Sequence, residues 1–193
     1  MAVEMLQYVG VEPIETERLV LRPFRVGDAP GMFRNWDADA AVARHMLWEP
    51  AQTLADSENR LAGYLKEYET DPATYRWAIT LKGEDVPIGM ISLLRVHPRH
   101  RTAEAVYMLG QAYQRQGYMP EALRGVLQYG FMRIGLNRIE AGHYTQNPAS
   151  GRVMLKAGMR LEGIARQKYL GREGYEDTAS YALLKEEFIA EKT

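Results

Sequence analysis

The sequence contains no cysteine, and this absence removes several classes of chemistry. Disulfide bonds, thiolate metal sites and a cysteine nucleophile are all excluded, so catalysis would have to use oxygen, imidazole or backbone groups. No run approaches the ~18 consecutive apolar residues of a membrane-spanning helix. The amino-terminal segment has no basic start and carries Glu4 and Glu12 where a signal peptide needs an apolar core. We therefore expect a cytoplasmic protein with no membrane partner.

An excess of charge of one sign is absent as well. The 193 residues include 24 Lys and Arg and 25 Asp and Glu, which gives a formal net charge of −1. This balance gives no overall reason to expect nucleic acid as a partner. There is no low-complexity linker and no repeat, so we expect a single domain over residues 1–193, with a leader at 1–13 and a core at 14–188.

The apolar pattern predicts strands around two central helices, and hence a mixed α/β (α+β) sheet. Helices are expected at about 29–36, after the capping residue Thr53, from Pro120 to Gly135 and at 150–157. The expected strands are 18–22, 75–81, 86–94, 102–109, 138–144, 159–170 and 175–184.

The segment from Leu109 to Ala122, LGQAYQRQGYMPEA, carries the strongest functional signal. A predicted strand ends, a loop containing Gly117 follows, and a helix begins at Pro120. Backbone N–H groups at a helix start form an anion site, and a glycine lets the backbone approach a phosphate closely. Arg115 can add a charge-assisted hydrogen bond. The alternative is an ordinary strand-to-helix loop in which Gly117 serves only a turn.

A second segment, NPASGRVMLKAGM from Asn147 to Met159, places polar side chains at another helix start. Asn147 and Ser150 flank a proline there, and helix capping accounts for both of them. The functional interpretation places the amide and the hydroxyl at the mouth of a cleft.

Together the two segments resemble those of a known family. The chain is similar to the GCN5-related N-acetyltransferases (GNAT), and within them to the RimJ/RimL-like ribosomal-protein N-acetyltransferase branch. The resemblance rests on ETERLVLRPF (15–24), QRQGYMPEA (114–122) and NPASGRVMLKAGMRLEG (147–163), and the order of elements agrees over nearly the whole chain. The loop departs from the family pattern at Met119, where the family has a small residue.

The resemblance implies a seven-stranded mixed sheet that is split between its fourth and fifth strands and holds acetyl-CoA, without a metal, in the split. In this family an amine attacks the thioester directly, while a backbone amide of the fourth strand polarises the carbonyl group. The pyrophosphate would lie on the loop before the helix, and the pantetheine would pair with the fourth strand. The residues assigned to acetyl-CoA on this basis are Tyr107, Met108, Leu109, Gln114, Arg115, Gln116, Gly117, Tyr118, Met119, Glu121, Asn147 and Ser150.

Three residues are assigned to catalysis, namely Ser150, Asn147 and Glu104. Asn147 would act beside the thioester, and Ser150 would give a proton to the departing CoA thiolate, directly or through water. The branch resemblance places a carboxylate base on the strand after the second motif, but the matching residue here is Tyr169. Glu104 on the fourth strand is the remaining acidic candidate, with Tyr169 or water as the alternatives.

Other functions are less well supported. A non-catalytic acyl-CoA-binding sensor or scaffold would bind acetyl-CoA without releasing CoA. A nucleic-acid-binding role for the basic loop Arg95–Arg101 is disfavoured by the net charge of −1. The acceptor amine, a protein N-terminus or a small amine, would contact residues 37–50 and the turn at 171–174, and neither stretch carries a motif. A monomer and a homodimer are both compatible with the sequence.

Overall fold

A computed structural model describes residues 5–46, 48–172 and 174–190. Its centre is one mixed sheet of eight strands in the order β1-β2-β3-β4-β5-β6-β8-β7. In chain order these are β1 Ile14–Glu15, β2 Leu19–Arg22, β3 Tyr75–Leu81, β4 Gly89–His97, β5 Thr102–Leu109, β6 Arg138–Tyr144, β7 Arg160–Leu170 and β8 Tyr175–Leu184. The predicted mixed α/β class is confirmed, and the seven predicted strands are joined by β1, which has only two residues.

Six α-helices flank the sheet within the described residues. They are α1 Ala29–Met32, α2 Ala40–Ala43, α3 Leu54–Thr70, α4 Tyr118–Tyr129, α5 Pro148–Lys156 and α6 Lys185–Ala190. π-Helical turns extend α1 and α4, over Phe33–Asp37 and Gly130–Ile134. None of the helices in this part of the chain has the length and apolar character needed to cross a membrane.

Local signals account for the ends of the two longest helices. Thr53 caps α3 reciprocally, since its Oγ1 accepts from the Asp56 N–H at 3.4 Å while its own N–H donates to Asp56 Oδ2 at 2.8 Å. α4 begins at Tyr118, two residues before the predicted start, because Pro120 is tolerated inside a first helical turn. Gly135, with φ +86°, ends its extension.

Two apolar cores lie on the two faces of the sheet. The larger core packs α4 and α5 against one face, which we call the α4 face, and it includes Leu123, Phe131 and Ala105. The smaller core packs α1 and α3 against the other face, the α1 face, and it includes Trp36 and Met108. Because side chains alternate along a strand, β5 contributes to both cores.

The sheet is split between β5 and β6. These parallel strands pair only at Thr102↔Arg138, Ala103↔Ile139 and Glu104↔Glu140. Beyond this point β5 remains paired with β4 and β6 remains paired with β8, so the two halves of the sheet diverge. The resemblance implies this split between the fourth and fifth strands, which are β5 and β6 once β1 is counted.

The boundaries of β4 differ from the expectation. The strand runs over Gly89–His97 rather than 86–94. Before it, Pro87 has no N–H to donate to a neighbouring strand, and its carbonyl accepts from Asn35 Nδ2 at 2.8 Å. Residues 5–13 lie against the body of the protein, where Trp77 Nε1 donates to the Glu12 carbonyl at 2.8 Å.

Candidate active site

The split opens into a cleft of about 700 Å³. Its walls include β5, β6, β7 and β8, the loop before α4, the start of α5 and the residues His45, Met46 and Trp48. Every residue assigned from the sequence to acetyl-CoA or to catalysis lines it except Gln116 and Glu121. The fold therefore brings residues from opposite ends of the chain to one cavity.

The edge of β5 presents backbone groups to the cleft. The Gly110 N–H donates to the Ile88 carbonyl at 2.9 Å, which fixes the hydrogen-bond phase of the β4–β5 ladder. Alternation then directs the backbone N–H and C=O of Tyr107 and Leu109 away from β4 and into the split. The backbone groups of Met108 point to β4, where it pairs with Met90, so Met108 contributes a side chain on the α1 face.

The loop before α4 has the geometry of an anion site. Gly117 is the N-cap of α4 with φ +83° and provides no side-chain cap. Arg115 also has a positive φ, +62°, which is uncommon for a residue with a side chain. The N–H groups of Tyr118 and Met119, at the helix start, have no carbonyl available within the helix. Such a turn of backbone donors, at the positive end of a helix dipole, favours a phosphate.

Glu121 and Arg18 hold this loop in place. The Glu121 carboxylate accepts from Thr16 Oγ1 at 2.6 Å, from the Arg18 N–H at 2.8 Å and from Arg18 Nε at 2.7 Å. Burial alone would raise the pKa of Glu121, but the bonds from Thr16 and Arg18 and the charge of Arg18 outweigh it and lower that pKa below its usual value. Arg18 also donates to the Gln116 carbonyl at 2.9 Å and lies 4.6 Å from the Tyr118 ring centroid. The side chain of Glu121 thus anchors the loop from outside the cleft.

Three other side chains of the loop make contacts within the protein. Met119 is 5% exposed and packs in the larger core, so the departure from the family pattern leaves its backbone N–H at the helix start. Gln114 Nε2 donates to the Leu109 carbonyl at 2.9 Å, and Gln116 Nε2 donates to the Ala112 carbonyl at 2.8 Å. Both glutamines therefore brace the loop.

Asn147 and Ser150 play different parts at the start of α5. Asn147 is the N-cap, and its Oδ1 accepts from the Ser150 N–H at 3.4 Å. Capping therefore uses the backbone of Ser150 and not its hydroxyl. The Tyr107 hydroxyl lies 2.9 Å from Ser150 Oγ and 3.0 Å from the Ser150 carbonyl oxygen, so its one hydrogen can be donated to either atom. Burial raises the pKa of Tyr107 well above its usual range, so this phenol remains protonated.

Arg95 lies beside Glu104 and Tyr169, the two side chains that are candidates for the base. Arg95 Nη1 donates to Glu104 Oε2 at 2.7 Å. The neighbouring Tyr169 side chain, together with the charge of Glu104, raises the pKa of Arg95. Glu104 and Tyr169 both lie on the α1 face, across the split from each other.

His45 lines the cleft and was not singled out from the sequence. Burial and the charge of Arg44 lower the pKa of His45, against the opposing effect of Glu176, so its imidazole is neutral at pH 7. A lone histidine in an unpatterned segment carries no sequence signal. Nearby, Arg172 donates to the Trp48 carbonyl at 2.8 Å and to Glu49 at 2.9 Å, which ties the β7–β8 turn to the segment opposite it.

Histidines elsewhere do not assemble a metal site. The rings of His97 and His100 stack 4.3 Å apart in an exposed turn. Over residues 5–46, 48–172 and 174–190, no group of three or more His, Asp or Glu side chains is placed to hold a metal ion.

Comparison with known proteins gives one consistent result. Residues 18–160 match the family model described as an acetyltransferase (GNAT) domain. The chain is 32% identical to the uncharacterized N-acetyltransferase YoaA of Bacillus subtilis, over 89% of this chain and 96% of that protein. It is 34% identical to the ribosomal-protein-serine acetyltransferase of Escherichia coli, over 51% of this chain and 55% of that protein.

Among solved structures, the chain is similar to an acetyltransferase of the GNAT family from Bacillus anthracis. The two share 28% identity with a TM-score of 0.78, over 91% of this chain and 99% of the other.

Proposed function

Because the chain belongs to the GNAT family and is an N-acetyltransferase, we propose that it binds acetyl-CoA in the split between β5 and β6 and transfers the acetyl group to a primary amine there. The observation that carries the proposal is the continuity of the cleft from the donor-rich loop before α4, along the free edge of β5, to Ser150. Acetyl-CoA presents its groups in the matching order, with the pyrophosphate first, then the pantetheine arm and then the thioester.

The loop before α4 is assigned to the pyrophosphate. Backbone N–H groups of residues 115–119 would donate to its oxygens, and Arg115 would add a charge-assisted bond. An added Cβ at Gly117 would lie 3.2 Å from Arg18 Nη2, and the φ of +83° disfavours any side chain. The glycine therefore keeps the backbone accessible at the point where a bulky anion has to approach.

The free edge of β5 is assigned to the pantetheine and the thioester. Tyr107 presents its backbone N–H and C=O and Leu109 its N–H at the spacing of an added strand, which suits an extended amide-containing arm. The Leu109 carbonyl already accepts from Gln114 Nε2 at 2.9 Å. A backbone N–H of this edge would polarise the thioester carbonyl and stabilise the negative charge that forms on its oxygen during attack. The Asn147 amide lies on the opposite wall, beside the same part of the cleft.

Ser150 is assigned the role of the proton donor to the leaving group, CoA. The neutral amine nitrogen forms a bond to the carbonyl carbon, the carbon–sulfur bond breaks, and its electron pair goes to sulfur. The Ser150 hydroxyl donates its proton to that sulfur and regains one from water. The amine loses one proton to a base, so the net reaction converts an amine and acetyl-CoA into an N-acetylamine and CoA.

Glu104 is assigned the role of the base that accepts the proton of the amine. Its Oε2 is held by Arg95, and we assign proton acceptance to Oε1. Alternation along β5 places Glu104 on the α1 face with Met108, whereas Tyr107 and Ser150 lie on the α4 face. The proposed base, Glu104, and the proposed proton donor, Ser150, therefore lie on opposite faces of β5, the strand that would bind the thioester.

The acceptor is proposed to be a protein N-terminal amine. The similarity to the ribosomal-protein-serine acetyltransferase supports this class. The acceptor would enter on the α1 face, between the residues His45, Met46 and Trp48 and the end of β7, where Arg172 donates to the Trp48 carbonyl.

A turnover assay with a panel of amines tests the proposal. The panel contains a peptide beginning with serine, peptides beginning with other residues, spermidine and free amino acids, and the assay follows CoA thiol release and the mass of each acceptor. We expect CoA release that depends on an amine, with one acetyl group added per CoA, and the fastest rate with a peptide.

Saturable acetyl-CoA binding without amine-dependent release would instead identify the sensor or scaffold function. Faster turnover of spermidine than of every peptide would overturn the proposed acceptor class and leave the acetyl transfer itself standing.

A further inference from the structure

The Tyr107 hydroxyl makes a contact that acetyl-CoA binding does not require. The proposed function uses the backbone of Tyr107, at the edge of β5. Its phenol crosses the α4 face of the cleft and meets α5, with Oη 2.9 Å from Ser150 Oγ and 3.0 Å from the Ser150 carbonyl. The two residues are 43 positions apart in the chain, so the contact is made by the fold.

The hydrogen of each hydroxyl can take two positions. If Tyr107 donates to the Ser150 carbonyl, the Ser150 hydrogen is directed at Tyr107 Oη and not at the cleft. If Tyr107 donates to Ser150 Oγ, the Ser150 hydrogen is free to point into the cleft. The carbonyl does not need the phenol, because Ser150 lies in the first turn of α5, where its carbonyl can accept an intrahelical N–H bond.

We infer that Tyr107 is a positioning residue for Ser150, and that its hydroxyl donates to Ser150 Oγ so that the serine hydrogen is directed at the sulfur of the departing CoA. This inference rests on the proposed function, since it assumes that Ser150 acts on the leaving group. Tyr107 itself gives up no proton in the reaction. Its burial keeps the phenol in the donating form throughout the pH range in which the enzyme would work.

A double-mutant cycle tests this arrangement. Tyr107→Phe removes only the hydroxyl, Ser150→Ala removes its partner, and a third variant carries both changes. The matched control is Tyr68→Phe, because the Tyr68 hydroxyl is a hydrogen-bond donor as well, to the Arg76 carbonyl at 2.6 Å, but lies outside the cleft. kcat and KM for acetyl-CoA are measured by CoA thiol release with a serine-initiated peptide and with spermidine, and the melting temperature is measured for each variant.

We expect Tyr107→Phe to lower kcat about five- to tenfold, the scale of one hydrogen bond between neutral groups, with KM for acetyl-CoA changed less than about twofold. The double variant is expected to be no slower than Ser150→Ala alone, because Tyr107 acts only through that hydroxyl. Tyr68→Phe is expected to lower the melting temperature while leaving kcat unchanged.

Each unexpected result would contradict a different assignment: the role of Tyr107, the role of Ser150 or the proposed function. An unchanged kcat in Tyr107→Phe, or a loss that adds to that of Ser150→Ala, would overturn the positioning role while leaving the role of Ser150 intact. A normal kcat in Ser150→Ala would remove the assignment of Ser150 and the inference with it. Absence of CoA release by the unmodified protein with both acceptors would overturn the proposed function itself.

Discussion

Replacing Gly117 by alanine is expected to weaken acetyl-CoA binding while leaving the protein folded. Gly117 has φ +83° and forms the start of α4 at the proposed pyrophosphate site. Gly83 provides a matched control, since it has φ +84° and nothing within 4 Å of an added Cβ. It lies in the turn between β3 and β4, outside the cleft.

The two substitutions impose similar backbone strain, but they lie in different parts of the protein, and only the added Cβ at Gly117 meets another atom, Arg18 Nη2 at 3.2 Å. An L-residue in the left-handed region costs roughly 1–2 kcal/mol, so both variants are expected to lose stability on that scale. Only at Gly117 does relief of the strain move N–H groups that would bind the pyrophosphate. Losing one hydrogen bond to a charged group costs ~1.5–3 kcal/mol, which corresponds to a Kd for acetyl-CoA about 10- to 100-fold higher.

Calorimetric titration with acetyl-CoA and urea denaturation of both variants separate these effects. We expect similar losses in the free energy of unfolding and a raised Kd for Gly117→Ala alone. A folded Gly117→Ala variant with the Kd of the unmodified protein would show that the pyrophosphate binds elsewhere. Equal weakening by Gly83→Ala would show that general destabilisation, and not the loop, controls affinity.

Three further substitutions probe the catalytic groups and the anchor of the loop. Ser150→Ala is expected to lower kcat about 100-fold with little change in melting temperature, because the capping N–H is retained; a normal kcat per folded molecule would remove the leaving-group role. Glu104→Gln is expected to lower kcat/KM most at neutral pH and less at alkaline pH, where more of the amine is already neutral; an unchanged pH profile would leave Tyr169 or water as the base. Glu121→Gln is expected to cost ~1 kcal/mol of stability at pH 7. Because the folded pKa of Glu121 lies below its unfolded value of ~4.3, its contribution is present above that pH and is lost as the pH falls through the folded pKa. Urea denaturation from pH 7 to pH 3 should therefore show the difference from the unmodified protein shrinking, and a difference that does not depend on pH would rule out the carboxylate as its source.

Periodicity predicted the centre of the sheet because those strands are long enough to show it. β3, β5, β6 and β8 begin and end where alternation and turn residues place them. β1 was not predicted, since two residues cannot display a period. β4 begins later than predicted, and the Pro87 carbonyl before it accepts from Asn35, a contact over 52 positions that the local pattern does not reveal.

In the candidate site, too, the sequence reveals local structures but not long-range contacts. The loop before α4 and the start of α5 are local structures, so glycine, proline and capping residues reveal them. Long-range contacts leave no such signal. Tyr107 meets Ser150 across 43 positions, and His45 lines the cavity although no local pattern marks it. The sequence therefore indicates which segments form the site but not which side chains hold one another in it.

Direct attack of the amine on acetyl-CoA is the step on which the proposed function depends most. Intact-mass measurement of the protein tests it, first with acetyl-CoA alone and then after a serine-initiated peptide is added. We expect no acetyl group on the protein at either stage, and one acetylated peptide for each CoA released. An acetylated protein that forms from acetyl-CoA alone and then passes its acetyl group to the peptide would establish a covalent intermediate and rule out direct attack.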